Sequence, residues 1–388
     1  MKKLISLFLA VVFVFSLGCP FETVYAEEVS LEDTPIDVVY CYADLWDQNL
    51  RRGELDNSIK KDYDNQELKY SLRSVLKNIP WVRKIFIIMP NEKVRFLKEP
   101  EEISDKIVYV KNEDLLGFDT NSPHAKQITM WNLKKFGCSN HVIYLDDDFF
   151  IGKPLKKEDF FYVENNKVVP YVVATAKPTL KKLRNVEKSL ANIKDKNNGG
   201  HPESNSGWYN QILRTYLFLM KNALNEDCIN LVEFSHFAYS LNLDELEEVY
   251  DIIKNSEFAD STLYTKRRSN DSLMPVTVYQ NYVLNKYSRK VRYPRSRCII
   301  GWLDIDKANF DVELFVINSG ARSHVAYRDS DYRKVRNTMK KLFPDATPYE
   351  IPDCKLDIFD FEEGDGVVRN SMLDNIRRQN RRRTGALR

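Results

Sequence analysis

The run Val142-Ile143-Tyr144-Leu145 leads directly into Asp146-Asp147-Asp148, and Phe149-Phe150-Ile151-Gly152 follows. A short apolar stretch rich in β-formers fits a strand buried on both faces. Three adjacent carboxylates cannot stay charged inside such a core, so the strand must deliver them to its tip. In open α/β sheets ligands bind beyond the carboxyl ends of the strands. Mg²⁺ and similar hard cations take oxygen ligands, usually one or two carboxylates with water and substrate phosphates. The stretch therefore points to a site for a metal and a diphosphate. The plainer alternative, a solvated acidic turn, sits poorly between two apolar runs.

Upstream, Ile36-Asp37-Val38-Val39-Tyr40 reads as a strand, with Asp44, Trp46 and Asp47 in the loop beyond it. Glu67–Lys77 sets Leu68, Leu72, Val75 and Leu76 on one face of a helix that Pro80 ends. Strands over Lys84–Met89 and Lys106–Val110, a loop over Gly117–Pro123 and a helix over Ala125–Lys135 complete the approach to the acidic triplet. This alternation predicts an α/β fold: a mostly parallel Rossmann-like sheet with helices on both faces. A single catalytic domain is expected over residues 35–350, followed by a C-terminal extension at 351–388. Asn185–Ser206, rich in Lys, Asn, Asp and Gly, reads as an exposed loop that opens a polar and helical insertion at about 185–243. Trp208–Ala223 reads as an apolar helix. Asn242 and Glu245 read as a capping box before an amphipathic helix, and Asp331–Leu342 as a second such helix.

Among 388 residues, 43% are hydrophobic and 12% aromatic, enough for a sizeable core. Lys and Arg number 58 against 56 Asp and Glu, a net +2 that argues against a nucleic-acid partner. The local exception is the tail, where Arg377, Arg378, Arg381, Arg382, Arg383 and Arg388 could make peripheral contact with an anionic membrane surface. At the other end, Lys2 and Lys3 precede an apolar run from Leu4 to Leu17, and Val24-Tyr25-Ala26 precedes Glu27. This is the pattern of a signal peptide over 1–26, cleaved on export or entry to the secretory pathway, with a retained anchor as the alternative. Cys41, Cys138, Cys228, Cys298 and Cys354 would remain, without a Cys-x-x-Cys pair, and one or two disulfides are open to them.

Five histidines occur, and His236, in Phe234-Ser235-His236-Phe237, stands just before an amphipathic helix. No Gly-x-Gly-x-x-Gly, Walker loop, His-Glu-x-x-His or Gly-x-Ser-x-Gly is present.

Four ordered blocks resemble the Stealth family of sugar-phosphate transferases. The first is similar from Ile36 through Asp44 and Asp47. The second is the most specific: Asp64-Asn65-Gln66-Glu67-Leu68-Lys69-Tyr70-Ser71-Leu72-Arg73-Ser74, then Pro80-Trp81-Val82-Arg83-Lys84-Ile85, then Asn121-Ser122, then Tyr144 through Gly152. The third runs from His236 to Arg268 and Asp271, and the fourth from Ile317-Asn318 to Glu350. Three departures stand out. Cys41-Tyr42-Ala43 replaces a usual Thr-Trp-Val, Asp146 replaces the Asn of Asn-Asp-Asp, and Asn318-Ser319-Gly320 stands where the fourth block usually has Asn-Asp-Asp.

The resemblance implies transfer of a sugar 1-phosphate from a UDP-sugar, a UDP-N-acetylhexosamine first of all, to a hydroxyl of a glycan or glycoconjugate acceptor, with UMP leaving. It implies Mg²⁺ or Mn²⁺ held by Asp147 and Asp148 with Asp146 in support, and a catalytic set of His236 as the base, Arg268 as the phosphate clamp and the metal-holding Asp148. It places Asp37, Asp44, Arg73, Asn121, Ser122, Asp271 and Asn318 in substrate binding. A metal-dependent glycosyltransferase that releases UDP, or an inactive carbohydrate-binding relic, are the alternatives.

Overall fold

The structure is a computed structural model that describes residues 29–42, 66–90, 94–118, 120, 122–196, 205–233, 235–265, 269–318, 329–352 and 354. The expected signal peptide and the basic tail lie outside these residues. Among the described residues no helix is long and apolar enough to cross a membrane.

In chain order, β1 (Ile36–Cys41), α1 (Glu67–Asn78), β2 (Ile85–Met89), β3 (Ile107–Lys111), α2 (Pro123–Thr129) and β4 (His141–Leu145) build the first half. The four strands are parallel and lie in the order β3-β2-β1-β4. Every residue of β1 and β2 is buried. That explains the apolar runs Val38–Cys41 and Ile85–Met89, since a strand covered on both faces has no polar side to alternate with. The helix expected over Ala125–Lys135 is shorter: after α2 the chain tightens into a 3₁₀ segment, Met130–Phe136, which Gly137 ends at φ 79°.

Past the acidic triplet come β5 (Phe149–Ile151), α3 (Leu183–Lys196) and α4 (Asn205–Phe218). Helix α3 corrects the loop reading over residues 185–196, and residues 197–204 of that span lie outside the described ones. Val186 and Leu190, four apart, are buried in the main core while charged and amide side chains surround them. The polar composition hid a narrow helical stripe. Nor is the span up to residue 243 set apart from the sheet. Its last strand, β6 (Tyr239–Asn242), pairs antiparallel with β4 and forms the sheet's edge. The side chain of Asn242 accepts from the amides of Asp244 and Glu245 at the start of α5 (Leu243–Lys254). Glu245 does not return the bond as a capping box requires; its carboxylate accepts from the Tyr279 hydroxyl of α6 (Pro275–Lys286) and pairs with Arg289.

β7 (Arg297–Gly301) and β8 (Leu314–Asn318) form a second sheet with β5, in the order β7-β8-β5. The side chains of β5 alternate between two cores. Phe149 and Ile151 belong to the main one, and Phe150 stacks with Phe315 and Phe343 in a smaller one under α7 (Asp329–Leu342). Gly152 follows the strand where a Cβ would stand 2.3 Å from the carbonyl oxygen of Val312, an approach that only glycine permits. Among the described residues Cys41, Cys138, Cys228 and Cys298 are not paired in disulfides.

Candidate active site at the junction of two sheets

The carbonyl of Asp146 accepts from the amide of Phe149 at 3.1 Å, which closes a β-turn with Asp147 and Asp148 at its corners. One end of this turn belongs to the central sheet through β4 and the other to the second sheet through β5. All three aspartates are partly exposed, as the burial cost of their charge demands. The backbone carbonyl of Asp148 accepts from the amide of Ile317 at 3.1 Å, fixing the turn to β8.

The three carboxylates do not act as one. The Tyr144 hydroxyl donates to the carboxylate of Asp146 and accepts from Gln127 Nε2 of α2 at 2.9 Å. Burial, reinforced by the neighbouring Asp146, raises the Tyr144 hydroxyl well above its ordinary pKa, so it stays protonated as a donor. Asp148 faces the other way. Its Oδ2 lies 3.9 Å from Nε2 of His236, in the segment between residue 231 and β6.

His236 packs edge-on against the ring of Phe149, with centroids 4.9 Å apart at 67°. Its Nε2 lies 2.9 Å from Nδ2 of Asn318, the last residue of β8. In this orientation of the Asn318 amide Nδ2 donates and Nε2 accepts, which places the imidazole proton on Nδ1. Asp148, His236 and Asn318 thus converge from three stretches far apart in sequence. The side chains of His236 and Asp148 are 27% and 21% exposed, open enough for a ligand to reach.

Other expected residues are placed elsewhere. Asp37 sits at the first end of β1, fully buried, in an ion pair with Arg83 at 2.6 Å, and it accepts from the amides of Lys84 and Ser139. That is the sheet edge opposite the acidic turn, so Asp37 anchors strand starts and does not line the site. Arg73 is also not a ligand group. Its guanidinium forks onto Glu350 and donates to the carbonyls of Phe343 and Pro344, clamping α1 to the end of the described chain. Ser122 caps α2, with its hydroxyl accepting from the amide of Ala125. Asp271 pairs with Arg214 at 2.6 Å on the surface. Asp44, Asn121 and Arg268 lie outside the described residues. On either side of Arg268 the chain is tied to the α2 region, by Thr120 Oγ1 to the Thr265 carbonyl and by His124 Nδ1 to Ser272 Oγ, each at 2.8 Å.

Sequence reasoning passed over Lys126, Gln127 and Tyr144. The only signal for Lys126 was a lysine between apolar Ala125 and Ile128 on the helix that feeds the acidic strand. Among the described residues no three His, Cys, Asp or Glu side chains converge as a ligand set. Asp146, Asp147 and Asp148 therefore do not close jointly around a cation, because Asp146 is turned toward Tyr144. The oxygen-only donors left at the turn fit a divalent ion held by one or two carboxylates and completed by substrate phosphates.

Residues 61–169 match the family model described as Stealth protein CR2, conserved region 2. An exopolysaccharide phosphotransferase of Nocardia farcinica is 25% identical over 334 residues, which is 81% of this chain and 61% of that protein. A capsular polysaccharide phosphotransferase of Haemophilus influenzae is 32% identical over 149 residues, 34% of this chain and 40% of that protein. The chain thus spans less than two thirds of either relative's length. Among solved structures, the galactosyltransferase LgtC in complex with donor and acceptor sugar analogues covers 81% of this chain and 97% of its own, at 13% identity and a TM-score of 0.36. That likeness is too slight to bear on function.

Proposed function

We propose that this chain, whose residues 61–169 match conserved region 2 of Stealth proteins, transfers a sugar 1-phosphate from a UDP-sugar to a hydroxyl of a glycan acceptor, releasing UMP. The observation that carries this reading is the meeting of Asp148, His236 and Asn318 at the tip of β4. A transfer of this kind needs a base for the acceptor hydroxyl, negative oxygen donors beside it and an open approach.

His236 holds its proton on Nδ1, and Nε2, occupied by the Asn318 amide, becomes the base when the acceptor hydroxyl takes that amide's place. The acceptor oxygen attacks the sugar-bound phosphorus as its proton passes to Nε2. The bond from that phosphorus to the bridging oxygen breaks, and the oxygen leaves with UMP. Asp148 stabilises the imidazolium so formed. Asn318 orients the ring before the acceptor arrives. Asp147 and Asp148 are the residues that would hold Mg²⁺ or Mn²⁺, which when bound offsets charge on the diphosphate oxygens. Arg268 is assigned by the resemblance to the transferring phosphate as a two-pronged donor.

Incubation with a panel of UDP-sugars, a glycan acceptor and Mn²⁺ tests the reading through the nucleotide released. UMP is expected. UDP as the product would mean that the sugar–phosphate bond is broken instead, and would replace this reading with glycosyl transfer.

A further inference from the structure

Lys126 is 2% exposed, a degree of burial that lysine almost never shows without a compensating charge. Its ammonium donates to the carbonyl of Tyr42, just past the tip of β1, at 3.3 Å. The next residue on α2, Gln127, donates to Tyr144, and Tyr144 donates to Asp146. Lys126 and the acidic turn therefore flank the same strand tips, with β1 hydrogen-bonded to β4 between them. Cys41 at the end of β1 senses both. Burial pushes its thiol up to about 12; Lys126 pulls against that rise, while Asp146 and Asp147 add to it.

A turn of three partly buried carboxylates attracts bare cations and repels the anionic diphosphate of a nucleotide sugar. Resting on the function proposed above, we propose that Lys126 is the internal counter-charge of this site, setting it to accept a diphosphate together with a metal in place of the metal alone. It is a positioning residue that acts through its field. Its effect on the two ligands is opposite in sign, which no merely structural lysine would produce.

The experiment measures binding to the purified full chain, with Mn²⁺ alone and with UDP at saturating Mg²⁺ as probes, by titration calorimetry. Lys126→Met should tighten Mn²⁺ and weaken UDP, each by roughly tenfold, the effect of one unit charge in a medium between protein and water. Lys126→Gln keeps a donor for the Tyr42 carbonyl and should show the same pair of shifts, which covers the case of a Met variant that does not fold. Lys126→Arg retains the charge and should bind both probes like the wild type. Unchanged affinities, parallel weakening of both probes, or an Arg variant that behaves like Met would overturn the proposal. If the wild type fails to bind UDP at all, the function proposed above fails with it. The Mn²⁺ arm still decides the role of Lys126, because an unchanged Mn²⁺ affinity in Lys126→Met removes it.

Discussion

The imidazole of His236 and the carboxylate of Asp148 face each other at 3.9 Å, within ion-pair reach and beyond hydrogen-bond reach. The carboxylate sits beside Nε2 without bonding to it, while the Nε2 lone pair accepts from the Asn318 amide. Once the ring takes a proton, the same carboxylate stabilises the charge without moving far. Asn318 approaches the same nitrogen, with its Nδ2 at 2.9 Å.

Replacing His236 by Ala should therefore lower the rate of the chemical step by roughly 10²–10⁴-fold, the usual contribution of a general base. UDP-sugar affinity should stay near the wild-type value, since the base meets the acceptor. Turnover, donor binding and melting temperature measured on one preparation decide the matter. A lower melting temperature with proportionate loss of binding would show that the ring's packing on Phe149, and no proton transfer, explains its place.

Asp148→Asn keeps the turn's size and removes one charge. Turnover should be abolished and metal-dependent nucleotide binding weakened, while thermal stability changes little because the side chain is partly exposed. Asp147→Asn should behave likewise. Wild-type protein treated with EDTA should lose activity and regain it with Mn²⁺. Near-normal turnover in either variant or under chelation would remove the metal from the scheme.

Arg73 and Glu350, with side chains 9% and 5% exposed, form a buried forked ion pair. Glu350→Gln leaves the guanidinium without its counter-charge and should cost about 3–5 kcal/mol of stability. Denaturant unfolding reads this directly. Donor affinity in the folded variant should be unaffected; a selective rise in donor KM at full stability would return Arg73 to the donor pocket.

Histidine 141 gives the fold a pH dependence. Burial holds its imidazole below the usual range, partly offset by its Nε2 donating to the Val168 carbonyl at 2.9 Å. Below the unfolded value the unfolded chain binds a proton that the native state refuses, so the stability this residue contributes is present at neutral pH and lost on acidification. The melting temperature should fall from about pH 7.5 to 5, the range around the free imidazole pKa, and His141→Asn should fall less steeply. Equal slopes in the two proteins would rule out His141 as the source.

The sheet was legible because its strands are buried on both faces and so stand out as apolar runs, and the carboxylates marked the end of β4 unaided. His236 and Asn318 came from the resemblance, since a histidine beside aromatics has no chemical signature until the fold brings Asp148 to it. Asp37 and Arg73 misled for a common reason. A charge beside a strand or on a helix reads the same whether it faces a ligand or a partner such as Arg83 or Glu350, and only the three-dimensional pairing tells them apart. Lys126 escaped notice because a lone lysine on a helix is ordinarily solvated. The α3 helix was hidden by its composition, its apolar stripe being only as wide as Val186 and Leu190 require.

Strand β5 threads between two cores, with Phe149 and Ile151 filling one and Phe150 the other. Inserting or deleting a single residue in the acidic turn would invert that alternation and drive each ring into the space shaped for its neighbour. The length of the loop that carries the carboxylates is thus dictated by hydrophobic side chains that touch no substrate. Point changes within the turn can be explored at little structural cost, while changes in its length are closed to the lineage.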